Sequence, residues 1–384
     1  MWNEISTETT KDIGNKLNAY LNSNNYSFLN EFLDITKLFS YKFICQKLIS
    51  ETVYIDISKS PFSSVIRNLL LFPLSQQPDI MKYINAYSEV IQIEEIRKND
   101  VLYCTLVKTI SKSLFIIGQN FDYEKAVKCF GKLIKSTMPK QKSLNESPFI
   151  GTLNCLFNLY FTKNNFKFAD KQLKSLEGKF ALINLDVCSS NELACFYFNR
   201  GKIDVIFSRY RSANDNLSRC LTYVSPMEIE NRRLIFAFFV PLQLCFGCIP
   251  KDGLTKKYSL HVYDDLIESV KNGDLSLYEK TLDENQLTFI RLGVWELVVH
   301  IRPYVERRII EMIQNRHPDK NIIDIELIRL SFSYFVPNIT IDEVEFICSK
   351  LISKGLMKAC IFHYRKKMVL ANNNIFPNAR NDFD

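Results

Sequence analysis

The chain has 384 residues, of which 47% are hydrophobic, 13% aromatic and 24% charged. That composition supplies a sizeable core and excludes global disorder, while only 11 Gly and 12 Pro exclude collagen-like and flexible low-complexity chains and suit long helices with sparse punctuation. Lys and Arg outnumber Asp and Glu by 49 to 42, giving a formal charge of +7, and residues 350–380 alone hold seven basic and no acidic side chains, so any affinity for a polyanion is concentrated near the C-terminal end.

Residues 1–140 read as several helices, with Ile110, Phe115 and Ile117, then Tyr123, Ala126 and Phe130, marking faces that pack on neighbours. A polar segment over 140–148 marks the first boundary. From Phe149 to about Ile290 the pattern is again helical, with short turns between stacked pairs. Tyr210, Ala213, Leu217 and Cys220 form one buried stripe at spacings of three, four and three. The apolar helix over 231–245 contains Pro241, whose missing amide and ring clash predict a bend or a division. Tyr263, Leu266 and Val270 make a further stripe that stops at Asn272-Gly273, where glycine supplies a left-handed termination. Val294, Val298, Ile301, Val305, Ile309 and Met312 then give a long amphipathic pattern, in which Pro303 marks either a kink or a division into two helices. The last hundred residues run helix, short extended piece or turn, helix and β-hairpin. Thr340 and Glu343 have the spacing of a capping box, and the helix after them buries Val344, Ile347, Cys348, Leu351 and Ile352 and ends before Gly355. Strands are predicted over 356–362 and 367–371 around a basic turn, which is the construction of a winged helix.

The 11 Cys are odd in number and scattered from Cys45 to Cys360, and residues 1–16 are polar with mixed charge, so the expected compartment is intracellular and reducing, without a secretory leader. The longest suspicious apolar run, 234–250, is interrupted by Pro241 and Gln243 and falls short of the roughly 20 residues that cross a membrane, so it is assigned to a buried helix.

Catalytic motifs do not emerge. His261, His300, His317 and His363 are scattered, and neither a phosphate-cradling glycine loop nor a dinucleotide fingerprint has the required spacing, so no catalytic residue, cofactor or metal is assigned. Cys245-x-x-Cys248 offers two soft ligands where a structural zinc needs four, and its apolar setting assigns the pair to packing. The candidate nucleic-acid-binding residues are Lys350, Lys354, Lys358, His363, Arg365, Lys366 and Lys367, around one helix end and its wing, where cations attract phosphates without reading sequence. His363, Tyr364 and Phe376 are placed to add base contacts. The alternative for this surface is an ordinary solvated face or a dock for an acidic protein.

Particular strings resemble PCI-domain proteins, specifically the PCI subunit of the second transcription-and-export complex, which couples transcription to messenger RNA export at nuclear pores. They are Tyr210-Arg-Ser-Ala-Asn-Asp-Asn-Leu217, Asn231-Arg-Arg-Leu-Ile-Phe-Ala-Phe-Phe-Val-Pro241, Gly273-Asp-Leu275, Phe289-Ile-Arg-Leu-Gly293, Ile341-Asp-Glu-Val344 and Leu351-Ile-Ser-Lys-Gly355, with the strand to Tyr364 and Phe376-Pro377 beyond. Gly247-Cys-Ile-Pro250 keeps a family-like turn. The resemblance covers residues 149–377 and implies a mostly α fold, a tetratricopeptide-like helical repeat array followed by a C-terminal winged-helix module. The domains expected are N-terminal helical repeats over 1–145, the helical part of the PCI domain over 146–293, and a connecting helix with the winged-helix subdomain over 294–384. It further implies a non-catalytic scaffold in the nucleus, associated indirectly with nuclear pores and not inserted in a membrane. Its implied partners are a large scaffold subunit with a PCI-like domain, a small acidic disordered subunit, and RNA or DNA. The PCI scaffold subunits of the proteasome lid, the signalosome and a translation initiation complex are the alternatives within the fold.

Overall fold

A computed structural model describes residues 100–138, 148–318 and 321–377, with the single positions 34, 85, 87, 89 and 90. Except for Pro148, the polar boundary segment lies outside the described residues. The fold is mostly helical with a small C-terminal sheet, and the chain divides into two compact units, Met1–Asn199 and Arg200–Asp384.

The described part of the first unit opens with α1 (Asp100–Asn120), α2 (Tyr123–Thr137), α3 (Phe149–Thr162) and α4 (Phe166–Leu176), followed by the start of α5 (Ser190–Ile206). Helices α1 and α3 pack together, α2 lies on both, and α4 lies on α3, which makes two layers of antiparallel pairs. The Asp122 carboxylate accepts the Lys125 amide at 3.0 Å and so starts α2. Ile110, Ile117, Ala126 and Phe130 are fully buried, as their spacing predicts. By length and composition Val101–Asn120 is apolar enough to cross a membrane, but half of it is buried in the protein, and Lys108 pairs with Glu192 at 3.1 Å.

The second unit continues through α6 (Tyr210–Tyr223), α7 (Ile229–Cys245), α8 (Asp264–Asn272), α9 (Leu275–Leu292), α10 (Trp295–Val299) and α11 (Arg302–Arg316). The α5–α6 turn is fastened by buried Asp204, which accepts from Arg209 Nε at 2.8 Å, Ser212 Oγ at 2.6 Å and Asn216 Nδ2 at 2.8 Å. Tyr210, Ala213, Leu217 and Cys220 all face the core. Pro241 neither divides nor terminates α7. It cannot donate to the carbonyl four residues earlier, that of Ala237, and the buried Tyr263 hydroxyl supplies the missing donor there at 2.6 Å. Helix α8 ends at Gly273, which has φ +67° and lies so close to α11 that an added Cβ would come within 3.2 Å of the Ile309 backbone nitrogen. The amphipathic pattern after Val294 is two helices, with Pro303 in the first turn of α11, where a missing amide is harmless.

Beyond α11 the chain forms β1 (Ile322–Asp324), α12 (Ile325–Ser333), α13 (Ile341–Ser353), β2 (Ala359–Phe362) and β3 (Lys367–Leu370). The strands make an antiparallel sheet in the order β1-β3-β2, so the short extended piece joins the hairpin as a third strand. Helix α11 touches both α12 and α13, which ties the winged helix to the preceding helices.

Candidate nucleic-acid interface

Helix α13 carries the first of the candidate cations. Its start is fixed by a reciprocal capping box, in which the Thr340 amide donates to Glu343 Oε2 at 2.7 Å and the Glu343 amide to Thr340 Oγ1 at 3.2 Å. Val344, Cys348 and Leu351 are fully buried, while Ile347 and Ile352 are half-buried, so the expected apolar face holds the helix with its basic residues outward. Gly355, at φ +66°, turns the chain into the hairpin.

The pairing register runs from Ala359 opposite Leu370 to Phe362 opposite Lys367, and the loop is one tight turn, His363–Arg365, closed by Lys366 in the left-handed region. This geometry splits the seven candidates. Lys350, Lys354 and Lys358 gather at the base, where α13 ends and β2 begins. His363, Arg365, Lys366 and Lys367 ring the tip, about 13 Å away by the length of a four-residue strand.

The two groups differ electrostatically. At the base, burial and then the neighbouring Lys350 push the Lys354 ammonium pKa down, partly offset by Glu306 of α11. Lys358 is exposed and borders an open cleft of about 650 Å³ lined by Ile352, Met357, Cys360, Leu370 and Pro377. At the tip, acidic side chains from α13 reach the wing. Glu345 Oε2 lies 2.5 Å from His363 Nδ1, and Lys366 Nζ lies 3.5 Å from Glu345 and 4.0 Å from Asp342. Burial alone would raise the Glu345 pKa, but the His363 hydrogen bond and the charges of His363 and Lys366 bring it below the usual carboxylate value. Asp324 stands opposite Lys367 across the β1–β3 ladder. Arg365 is exposed and has no acidic partner among the described residues.

Sequence reasoning missed this compensation because the basic count began at Lys350, eight residues after Asp342. Two aromatic residues also behave differently from one another. Tyr364 is 99% exposed at the tip, as a base-contacting ring requires. Phe376 is instead held in place, with the Arg307 guanidinium 5.5 Å over its ring, while Arg307 donates to the carbonyls of Phe376 at 3.0 Å and Pro377 at 2.7 Å. Phe346, 70% exposed on α13, is an aromatic residue that the periodicity did not single out.

Asp342, Glu345 and His363 each bring one potential metal-ligand atom within 4.8 Å of the others, but the Lys366 ammonium already occupies their acidic side. Cys245 is fully buried, donates to the Leu297 carbonyl at 3.2 Å and has its thiol pKa raised by burial, which fits the packing reading.

Comparison with known proteins agrees with this architecture. A protein of Dictyostelium discoideum named PCI domain-containing protein 2 homolog is 28% identical over 257 residues, covering 65% of this chain and 58% of its own length. Enhanced ethylene response protein 5 of Arabidopsis thaliana is 27% identical over 58% of this chain and 55% of its own length. COP9 signalosome complex subunit 12 of Eremothecium gossypii is 25% identical over 38% of this chain and 39% of its own. These relatives support a PCI-domain subunit. The matched region spans little more than half the length of the first two, and no family model matches the chain.

Proposed function

We propose that the chain is a non-catalytic scaffold subunit of a nuclear complex that couples transcription to messenger RNA export, associated indirectly with nuclear pores. It joins a large partner with its own PCI-like domain and a small acidic partner, and its winged helix contributes phosphate contacts to an RNA or DNA platform. The observation that carries this reading is the outward set of cations at both ends of the hairpin, with the Tyr364 ring fully exposed between Phe362 and Arg365. PCI-domain relatives support the scaffold part of it.

The test is an RNA titration of the assembled complex carrying Lys350→Gln, Lys358→Gln and Arg365→Gln. Binding weakens and its salt dependence becomes shallower on this reading, and unchanged affinity in a folded complex overturns it. The name of the Eremothecium relative favours a second reading, a protein-binding scaffold in a signalosome-like assembly. Native affinity purification with subunit identification separates the two, since each predicts a different set of co-purifying chains.

A further inference from the structure

The first unit carries a second cationic surface that the charge count over 350–380 did not include. Between Tyr123 and Thr137, helix α2 buries Ala126, Cys129, Phe130, Leu133 and Ile134. Its four lysines, Lys125, Lys128, Lys132 and Lys135, are all exposed. Their spacings of three, four and three place them on one face, with successive side chains about 4.5 to 6 Å apart along the axis. Lys125 is held by Asp122 at 3.0 Å, and Glu124 is the acid in the first turn, so the later three lysines form the uncompensated part of the row.

Helix α4 repeats the arrangement. Ala169, Leu173 and Leu176 are buried, while Lys167, Lys171 and Lys174 are exposed at spacings of four and three, with Lys174 paired to Asp170 at 2.8 Å. Both helices belong to the same layer of the helical pairs. A direct bond fixes their neighbouring starts, because Asn165, the residue before α4, donates through Nδ2 to the Tyr123 hydroxyl at 2.7 Å. Beside Lys167 and Lys171, the Phe168 ring is 60% exposed on one side and stacks on Tyr160 on the other, at 6.3 Å and 23°.

We propose that these two lysine rows and Phe168 form a binding surface for single-stranded nucleic acid, separate from the winged helix. The rows follow the phosphate backbone, and the Phe168 ring, already braced by Tyr160, offers its free face to a base. An acidic protein would use the lysines but has no comparable use for a braced, solvent-facing ring. Rows of lysine with an aromatic platform are what sequence-tolerant single-strand binding requires. The surface is independent of the wing and adds to the proposed function without resting on it.

The experiment uses the full chain with a fluorescent oligouridylate RNA, and with polyglutamate as the acidic-polypeptide probe. The variant Lys128→Gln, Lys132→Gln, Lys135→Gln, Lys167→Gln and Lys171→Gln keeps helix propensity nearly constant. It is expected to weaken RNA binding at least tenfold and to lower the log–log salt slope by about 2, at about 0.7 per lost phosphate contact. Phe168→Leu is expected to weaken RNA binding at least fivefold while leaving that slope unchanged, a result that a loss of charge does not produce. RNA affinity within twofold of the parent for both folded variants overturns the proposal. So does a loss confined to polyglutamate, which would assign the rows to an acidic protein. A wing variant with Lys358→Gln and Arg365→Gln, measured in parallel, reports on the winged helix alone, so failure of either surface is read separately.

Discussion

Replacing Glu345 with Gln is predicted to strengthen nucleic-acid binding at the wing. The substitution keeps the side chain's size and removes the carboxylate that lies 2.5 Å from His363 and 3.5 Å from Lys366. At the tip, the fixed cations Arg365, Lys366 and Lys367 face Asp342 and Glu345, with Asp324 across the ladder from Lys367, so the surface is near neutrality as built. Removing one carboxylate about 6 Å from a bound phosphate relieves roughly 0.7 kcal/mol of repulsion at the dielectric of water, or about threefold in affinity. The freed Lys366 can make one more phosphate contact, which steepens the log–log salt slope by about 0.7. Anisotropy titrations of single-stranded RNA across a salt series measure both quantities. Unchanged or weaker binding at low salt, with native circular dichroism, would refute the idea that Glu345 discharges the wing.

The same carboxylate has a pH signature. Because its folded pKa is depressed, its stabilisation is fully present above the unfolded value of about 4.3 and is lost as pH falls through the lower folded value, so urea midpoints of the parent and the Gln variant should converge in that acid range. Tyr263→Phe should cost about 1 to 2 kcal/mol in chemical denaturation, because the Ala237 carbonyl beneath Pro241 is left unpaired. In a Pro241→Ala background, which restores the backbone donor, the cost should shrink, and equal costs in both backgrounds would show that the hydroxyl has another role. Arg307→Ala should expose the segment around Phe376 to limited proteolysis, and Arg307→Lys should not protect it, since an ammonium cannot span two carbonyls and cover a ring. An unchanged cleavage pattern counts against the clamp.

Much of the fold was legible because local chemistry and burial agreed. The stripe from Tyr210 to Cys220, the stop at Gly273 and the Thr340–Glu343 capping box each follow from spacing and residue type alone, and each occurs where predicted. Pro241 was harder, because the partner that preserves α7 is Tyr263, 22 residues further on and invisible to periodicity. Strand β1 was hard for a similar reason: three residues carry little pattern, and their place is set by pairing with β3, more than forty residues away. The candidate site was legible in residue type but not in grouping. A count along the chain cannot tell that four hairpin residues hold Lys358 apart from Arg365, or that an acid at the start of α13 folds back onto the turn.

The acids that discharge the wing are also where a helix favours them. Asp342 lies in the first turn of α13 and Glu345 just after it, where negative charge complements the helix N-terminus. Stability of the helix and charge of the wing are therefore set by overlapping residues, and raising one lowers the other. This leaves Arg365 as the tip's uncompensated fixed cation, and one phosphate contact gives a salt slope of only about 0.7, too shallow to hold a polyanion alone. The base lysines add up to three more, though Lys354 is shared with buried Glu306. On these charges a winged helix of this sequence binds nucleic acid tightly only in company, beside a partner's cations or together with the lysine rows of α2 and α4. Isolating the wing should accordingly cost most of the affinity of the full chain, whereas a wing that retained it would show that a few exposed contacts suffice.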